Sequence, residues 1–89
     1  MTREEVLDKA KEYVCHSREN DYGSPENNFM LIANLWSAYL DSNVTAQDVA
    51  MMMAMLKIAR IKTGTGKADS YIDLAGYAAC AGEIGGSND

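Results

Sequence analysis

The stretch Val49-Ala50-Met51-Met52-Met53-Ala54-Met55-Leu56 is a run of eight consecutive apolar side chains. Alanine, methionine and leucine are strong helix formers, and eight residues make more than two helical turns. A helix that is apolar all round is buried. The run therefore predicts the inner rod of a helical domain. Thr45 and Asp48 stand at capping-box spacing ahead of it, which extends the helix from about Ala46 to about Thr63. With 89 residues the chain makes one domain at most. Three neighbouring helices in so small a domain can hardly cover the rod completely. Part of Met51–Met55 is therefore expected to be covered by a second subunit, while the other methionines fill gaps in the core.

Three more helices follow from the flanking sequence. Thr2 and Glu5 have capping-box spacing, and Val6, Ala10 and Tyr13 with Leu7 and Val14 form an apolar stripe, which predicts a helix from about Arg3 to about Arg18. Ser24-Pro25 reads as an N-cap followed by proline at the first helical position. The helix it opens runs to about Leu40. Its seam is Phe29, Ala33, Trp36 and Leu40, with Asn27, Asn34, Ser37 and Asp41 opposite. The last helix runs from about Asp69 to about Glu83, centred on small residues from Ala75 to Gly82. Gly76 inside it implies a close contact that offsets the cost of a helical glycine, about 0.5–1 kcal/mol. The expectation is all-α: an antiparallel bundle of four helices over residues 1–84, assembled as a homodimer or larger, with residues 85–89 a frayed tail.

Composition narrows the function. Hydrophobic residues are 47% and charged residues 24%, an ordinary globular balance. Thirteen acids against eight bases give a net charge of −5, which disfavours bulk nucleic-acid binding. Cys15 and Cys80 form no C-x-x-C pair, and His16 stands alone, so no zinc-finger spacing exists. No signal peptide or membrane-spanning run is visible, so the expected setting is cytoplasmic, with reduced thiols and no membrane partner.

Three groups of residues carry possible chemistry. Asp69, Asp73 and Tyr77 fall on one helix face at i, i+4 and i+8, and paired carboxylates there suit a hard cation such as Mg²⁺. The competing reading is capping, by Asp69 directly or by Ser70 with Asp73. Lys57, Arg60, Lys62 and Lys67 place half of the eight basic residues within eleven positions. With the flexible Thr63–Gly66 backbone they suit a phosphate; otherwise Arg60 and Lys62 serve the helix dipole, and Lys57 extends from a buried start to solvent. The loop around Arg18, Asp21, Tyr22 and Gly23, followed by Glu26, Asn27 and Asn28, offers a tyrosine that stacks on a base or simply fixes the turn.

Asp21-Tyr22-Gly23-Ser24-Pro25-Glu26-Asn27, Leu35-Trp36-Ser37-Ala38-Tyr39-Leu40, Asp48-Val49-Ala50 with Lys57-Ile58-Ala59-Arg60, and Asp69-Ser70-x-x-Asp73-Leu74-Ala75-Gly76-Tyr77 together resemble a family of small phage and prophage proteins. The resemblance covers about residues 15–84. More distantly, the last helix and the Asp-Tyr-Gly entrance resemble phage nucleotide-modification-associated proteins and, through them, the all-α MazG-like nucleoside triphosphate pyrophosphohydrolases. Those are helical oligomers that hold Mg²⁺ on a Glu-x-x-Glu helix and a Glu-x-x-Asp helix. Carried over by position, Asp69 and Asp73 match the second pair as metal ligands or catalytic carboxylates. Glu26 and Asp48 stand in for the first, although they are not a Glu-x-x-Glu, and the second helix has asparagines where acids would be needed.

Three readings follow. In the first, Arg18, Tyr22, Lys57, Arg60, Lys67 and Tyr77 hold a nucleotide-derived small molecule between subunits without turnover. In a phage that use is sequestration of a host immune signal, such as a cyclic oligonucleotide or an ADP-ribose derivative. The second is a Mg²⁺-dependent nucleotide pyrophosphohydrolase with a reduced metal set. The third is an acidic inhibitor of a host defence nuclease. Binding without turnover is preferred, because the carboxylate set is incomplete and a mimic of DNA has no use for clustered cations.

Overall fold

A computed structural model describes residues 1–18, 20, 23–64 and 67–86. The described residues form four helices and no strand: α1 (Arg3–Glu12), α2 (Pro25–Leu40), α3 (Ala46–Lys62) and α4 (Ala68–Ile84). Three helix starts follow local sequence chemistry. Thr2 Oγ1 accepts from the Glu5 N–H at 3.1 Å while Glu5 Oε1 accepts from the Thr2 N–H at 3.2 Å. These bonds to Thr2 hold the Glu5 carboxyl below its ordinary value. Ser24 Oγ accepts from the Asn27 N–H at 3.2 Å, with Pro25 in the first turn. Thr45 and Asp48 exchange two bonds of 3.0 Å each.

One boundary and one cap differ from the sequence expectation. The first helix does not stay α-helical to Arg18. It widens into a π-helical turn over Tyr13–Ser17, and the Arg18 N–H closes that turn onto the Tyr13 carbonyl. Neither apolar periodicity nor helix propensity marks this change, since both look alike in α and π turns. At the far end of the chain, α4 begins before Asp69. Lys67 occupies its cap position with no side-chain bond, and Asp69 lies in the first turn. Asp69 is therefore not the cap, and Ser70 is buried within the helix.

Packing centres on α4, which lies most extensively against α3, also against α1 and the π turn, and lightly against α2. The second helix rests on α3, but the backbones of α1 and α2 stay apart from one another. Small residues dominate the buried set: Ala10, Ala33, Ala46, Ala50, Ala54, Cys80 and Ala81, with Val49 and Ile72 the largest fully buried side chains. Val14, Phe29 and Ile84 pack on Ala50, Cys80 and Ala81. Alanine at such positions lets helices approach closely.

The expected seam of α2 holds only in part. Ala33 is fully buried, Phe29 and Trp36 are half-buried, and Leu40 at the helix end is exposed. Ser37, expected on a polar strip, is half-buried: its hydroxyl accepts from the Val44 N–H at 2.8 Å and donates to the Val44 carbonyl at 3.1 Å. This closes the α2–α3 loop. Asp41 ends α2 in the left-handed region at φ 52°. Of the small residues of α4, Gly76, Cys80 and Ala81 face inward, while Ala78, Ala79 and Gly82 face out.

The apolar rod divides sharply in a single chain. Val49, Ala50 and Ala54 are buried, whereas Met51, Met52, Met55, Leu56 and Ile58 are exposed, Met55 by 56%. No helix among the described residues is long and apolar enough to cross a membrane. The expected tail is described only as far as Gly86, and residues 87–89 lie outside the described residues.

Candidate binding cleft

The π turn matters because of what it brings to α4. Val14 in the turn packs over Gly76: a Cβ added to that glycine would stand 3.7 Å from Val14 Cβ. Further along the chain, the Arg18 guanidinium lies 3.6 Å from Asp73 Oδ1. On the other side of the same carboxylate, Lys57 Nζ from α3 lies 3.1 Å from Asp73 Oδ2. The two partners of this closer pair are largely buried, with 16% and 18% of their side chains exposed, while 56% of the Arg18 side chain is exposed. Asp73 is thus an inward acid neutralised from behind by Lys57 and reached from in front by Arg18.

Asp73 and Arg18 belong to the lining of an open cleft of about 330 Å³ between α1 and α2, with α4 as its floor. That volume is in the range of small-molecule sites. Tyr13, Phe29 and Tyr77 give it aromatic walls, Ile32, Ile72 and Cys80 extend the apolar surface, and Asn28 joins Arg18 and Asp73 as its polar side chains. The rings of Phe29 and Tyr77 are 6.2 Å apart and inclined by 36°, within ordinary aromatic contact. A second, more open hollow, lined by Met1, Arg3, Val6, Leu7, Ala68 and Tyr71, offers a single charged side chain, Arg3.

The residues singled out in the sequence separate accordingly. Arg18, Asp73 and Tyr77 come together at the cleft. Lys57 reaches it only through Asp73. Arg60, Lys62 and Lys67 are exposed, and none of them lines the cleft. The expected knot of positive charge at the end of α3 is therefore split, because Lys57 sits on the inward face of that helix and the others do not. Tyr22 and Asp21, with Thr65 and Gly66 of the proposed phosphate turn, lie outside the described residues. Asp48 is exposed in its capping box, and Glu26 and Asp69 are exposed. Among the described residues no three His, Cys, Asp or Glu side chains gather as a metal site. Asn28, expected beside the entrance loop, does line the cleft, whereas Tyr13, Phe29 and Cys80 were not expected in a site. Their sequence signal, apolar or aromatic residues on helix faces, is the same one that marks core.

Residues 5–85 match a family model described as a domain of unknown function, DUF6378. The chain belongs to the DUF6378 family. This DUF6378 chain is 44% identical over 82 residues to the Gene 55 protein of Mycobacterium phage D29, covering 91% of the chain and 54% of that protein. It is 42% identical over 74 residues to the Gene 55 protein of Mycobacterium phage L5, covering 82% of the chain and 47% of that protein. The chain thus spans about half the length of these curated relatives. No solved structure matches it.

Proposed function

We propose that the chain binds a small molecule that joins a flat aromatic ring to an anionic group, and that a nucleotide is the class it takes. The observation that carries this reading is the placement of Arg18 at the rim of a cleft walled by Tyr13, Phe29 and Tyr77. A base stacks on aromatic faces, and a phosphate recruits a guanidinium. Arg18 is available for that role. Its approach to Asp73 is long at 3.6 Å, and Asp73 keeps Lys57 when Arg18 turns to a ligand. The cleft lies within one chain, so the ligand need not wait for a second subunit. Given phage relatives, the use proposed for the site is sequestration of a host immune nucleotide signal, by binding without turnover.

A thermal-shift screen of mononucleotides and cyclic dinucleotides, with and without Mg²⁺, tests this. Ligand at 100 times its Kd adds about 2.7 kcal/mol of apparent stability. The Arg18→Ala variant is expected to lose the response to phosphate-bearing ligands, and chromatography after heat denaturation is expected to return the ligand intact. Pyrophosphate release would replace binding by MazG-like hydrolysis. A flat response to every nucleotide, with a host nuclease retained instead, would replace it by the inhibitor reading.

A further inference from the structure

The outward face of α3 is an independent feature, and the cleft does not use it. Viewed down the helix, Val49, Ala50, Ala54 and Lys57 point toward the core, and the opposite face carries Asp48, Met51, Met55, Ile58 and Lys62 at spacings of three, four, three and four. That is the seam pattern of paired helices. Met52, Leu56 and Ala59 widen it, and all eight of these residues are exposed. Between Asp48 and Lys62 this face presents no polar side chain over about 21 Å. A continuous apolar surface of this kind marks an interaction site.

The charges at its ends identify the occupant. An acid stands at the N-terminal end of the seam, a base at the C-terminal end, and Met55 lies midway. We propose that a second copy of the chain docks here, α3 against α3, antiparallel about a two-fold axis at Met55. Asp48 then meets Lys62 of the partner subunit twice, Met52 meets Ile58 of the partner subunit, and each Met55 faces its own mate. One patch serves both copies, as a two-fold interface requires. Parallel pairing would set acid on acid and base on base. The other exposed apolar stripe, Leu31, Leu35 and Tyr39 of α2, has no such self-complementarity, because Glu26 is the only charged residue of that helix. Docking through α3 leaves the cleft of each copy open, since no α3 residue lines it.

Sedimentation velocity on the full chain tests the proposal, with circular dichroism to confirm that each variant is folded. The wild-type chain is expected to sediment as a dimer in the micromolar range. Met55→Lys sets two ammonium groups against each other across the axis and is expected to give monomers. Because Met55 is exposed, the monomer keeps its core. Lys62→Glu alone creates like-charge pairs and is expected to weaken the dimer by about ten-fold, the worth of two reversed rim pairs. Asp48→Lys does the same and also removes the acceptor of the Thr45 N–H at the start of α3, so its helicity is checked first. Mixing the two variants restores both opposite-charge pairs, so the mixture is expected to dimerise more tightly than either component. Leu35→Lys on α2 is expected to leave the dimer intact. A wild-type monomer at sub-millimolar concentration overturns the proposal. So does a dimer that survives Met55→Lys, a mixture no tighter than its parts, or dissociation by Leu35→Lys.

Discussion

Replacing Lys57 by methionine keeps most of the volume and the apolar stem of the side chain but removes the ammonium group that lies 3.1 Å from Asp73 Oδ2. Removing one partner of a buried ion pair costs about 3–5 kcal/mol, mostly because the other charge stays behind in a poorly solvated place. Two features of this site reduce that figure. Asp73 keeps Arg18 at 3.6 Å, and its side chain is 18% exposed at the floor of an open cleft. A loss of about 2–3 kcal/mol is therefore expected, which for a domain of this size lowers Tm by about 10–20 °C. Urea unfolding followed by circular dichroism measures it at fixed protein concentration. A double-mutant cycle with Asp73→Asn isolates the pair. The double variant is expected to lose less than the sum of the singles, with a coupling of about 1–3 kcal/mol. If Lys57→Met lies within about 0.5 kcal/mol of wild type, the ordinary range for a surface change, then Lys57 is a solvated lysine and the account of Asp73 as a neutralised inward acid is wrong.

Gly76→Ala is expected to stabilise the fold by about 0.5–1 kcal/mol, because alanine favours a helix and its methyl group meets Val14 at an ordinary contact distance of 3.7 Å. The same methyl takes space from the cleft floor, so higher Tm with weaker ligand response is the expected pair of results, and a lower Tm would show that α1 and α4 are packed more tightly than described. Ser37→Ala leaves the Val44 N–H and carbonyl without their shared partner and is expected to cost about 1–2 kcal/mol in chemical denaturation. Glu5 gives a local pH effect. Its carboxyl is depressed in the folded chain by the bonds to Thr2, so its contribution is present above the unfolded value, about 4.5, and is lost as pH falls through the lower folded value. Protection of the first-turn amides of α1, corrected for the intrinsic exchange rate at each pH, should fall in that acid range and do so less steeply in Glu5→Gln.

Features decided by neighbouring residues were legible in the sequence. The caps at Thr2, Ser24 and Thr45 each rest on groups three residues apart, and all three helices start where those groups place them. The divided character of α3 was legible too, since a run without polar residues has more apolar surface than one small chain can cover. Contacts across the chain were not legible. Asp73 looked like half of a metal pair with Asp69 because both lie on one helix face, yet its partners are Lys57, sixteen residues earlier, and Arg18, on another element altogether. Which cation meets which acid depends on helix rotation and crossing, and local spacing carries neither. The π turn was hidden for a similar reason. One additional residue per turn leaves composition unchanged while altering where Val14 and Arg18 point.

The two walls of the cleft follow one another in the chain, yet their backbones do not touch: α1 leans on α4, and α2 leans mainly on α3. Because the two walls share no backbone contact, local opening of one need not carry the other. A molecule seated between Tyr13 on one wall and Phe29 on the other becomes the latch, and its arrival should quiet both walls at once. Hydrogen exchange that slows together in α1 and α2 would thus report occupancy even before the occupant is known.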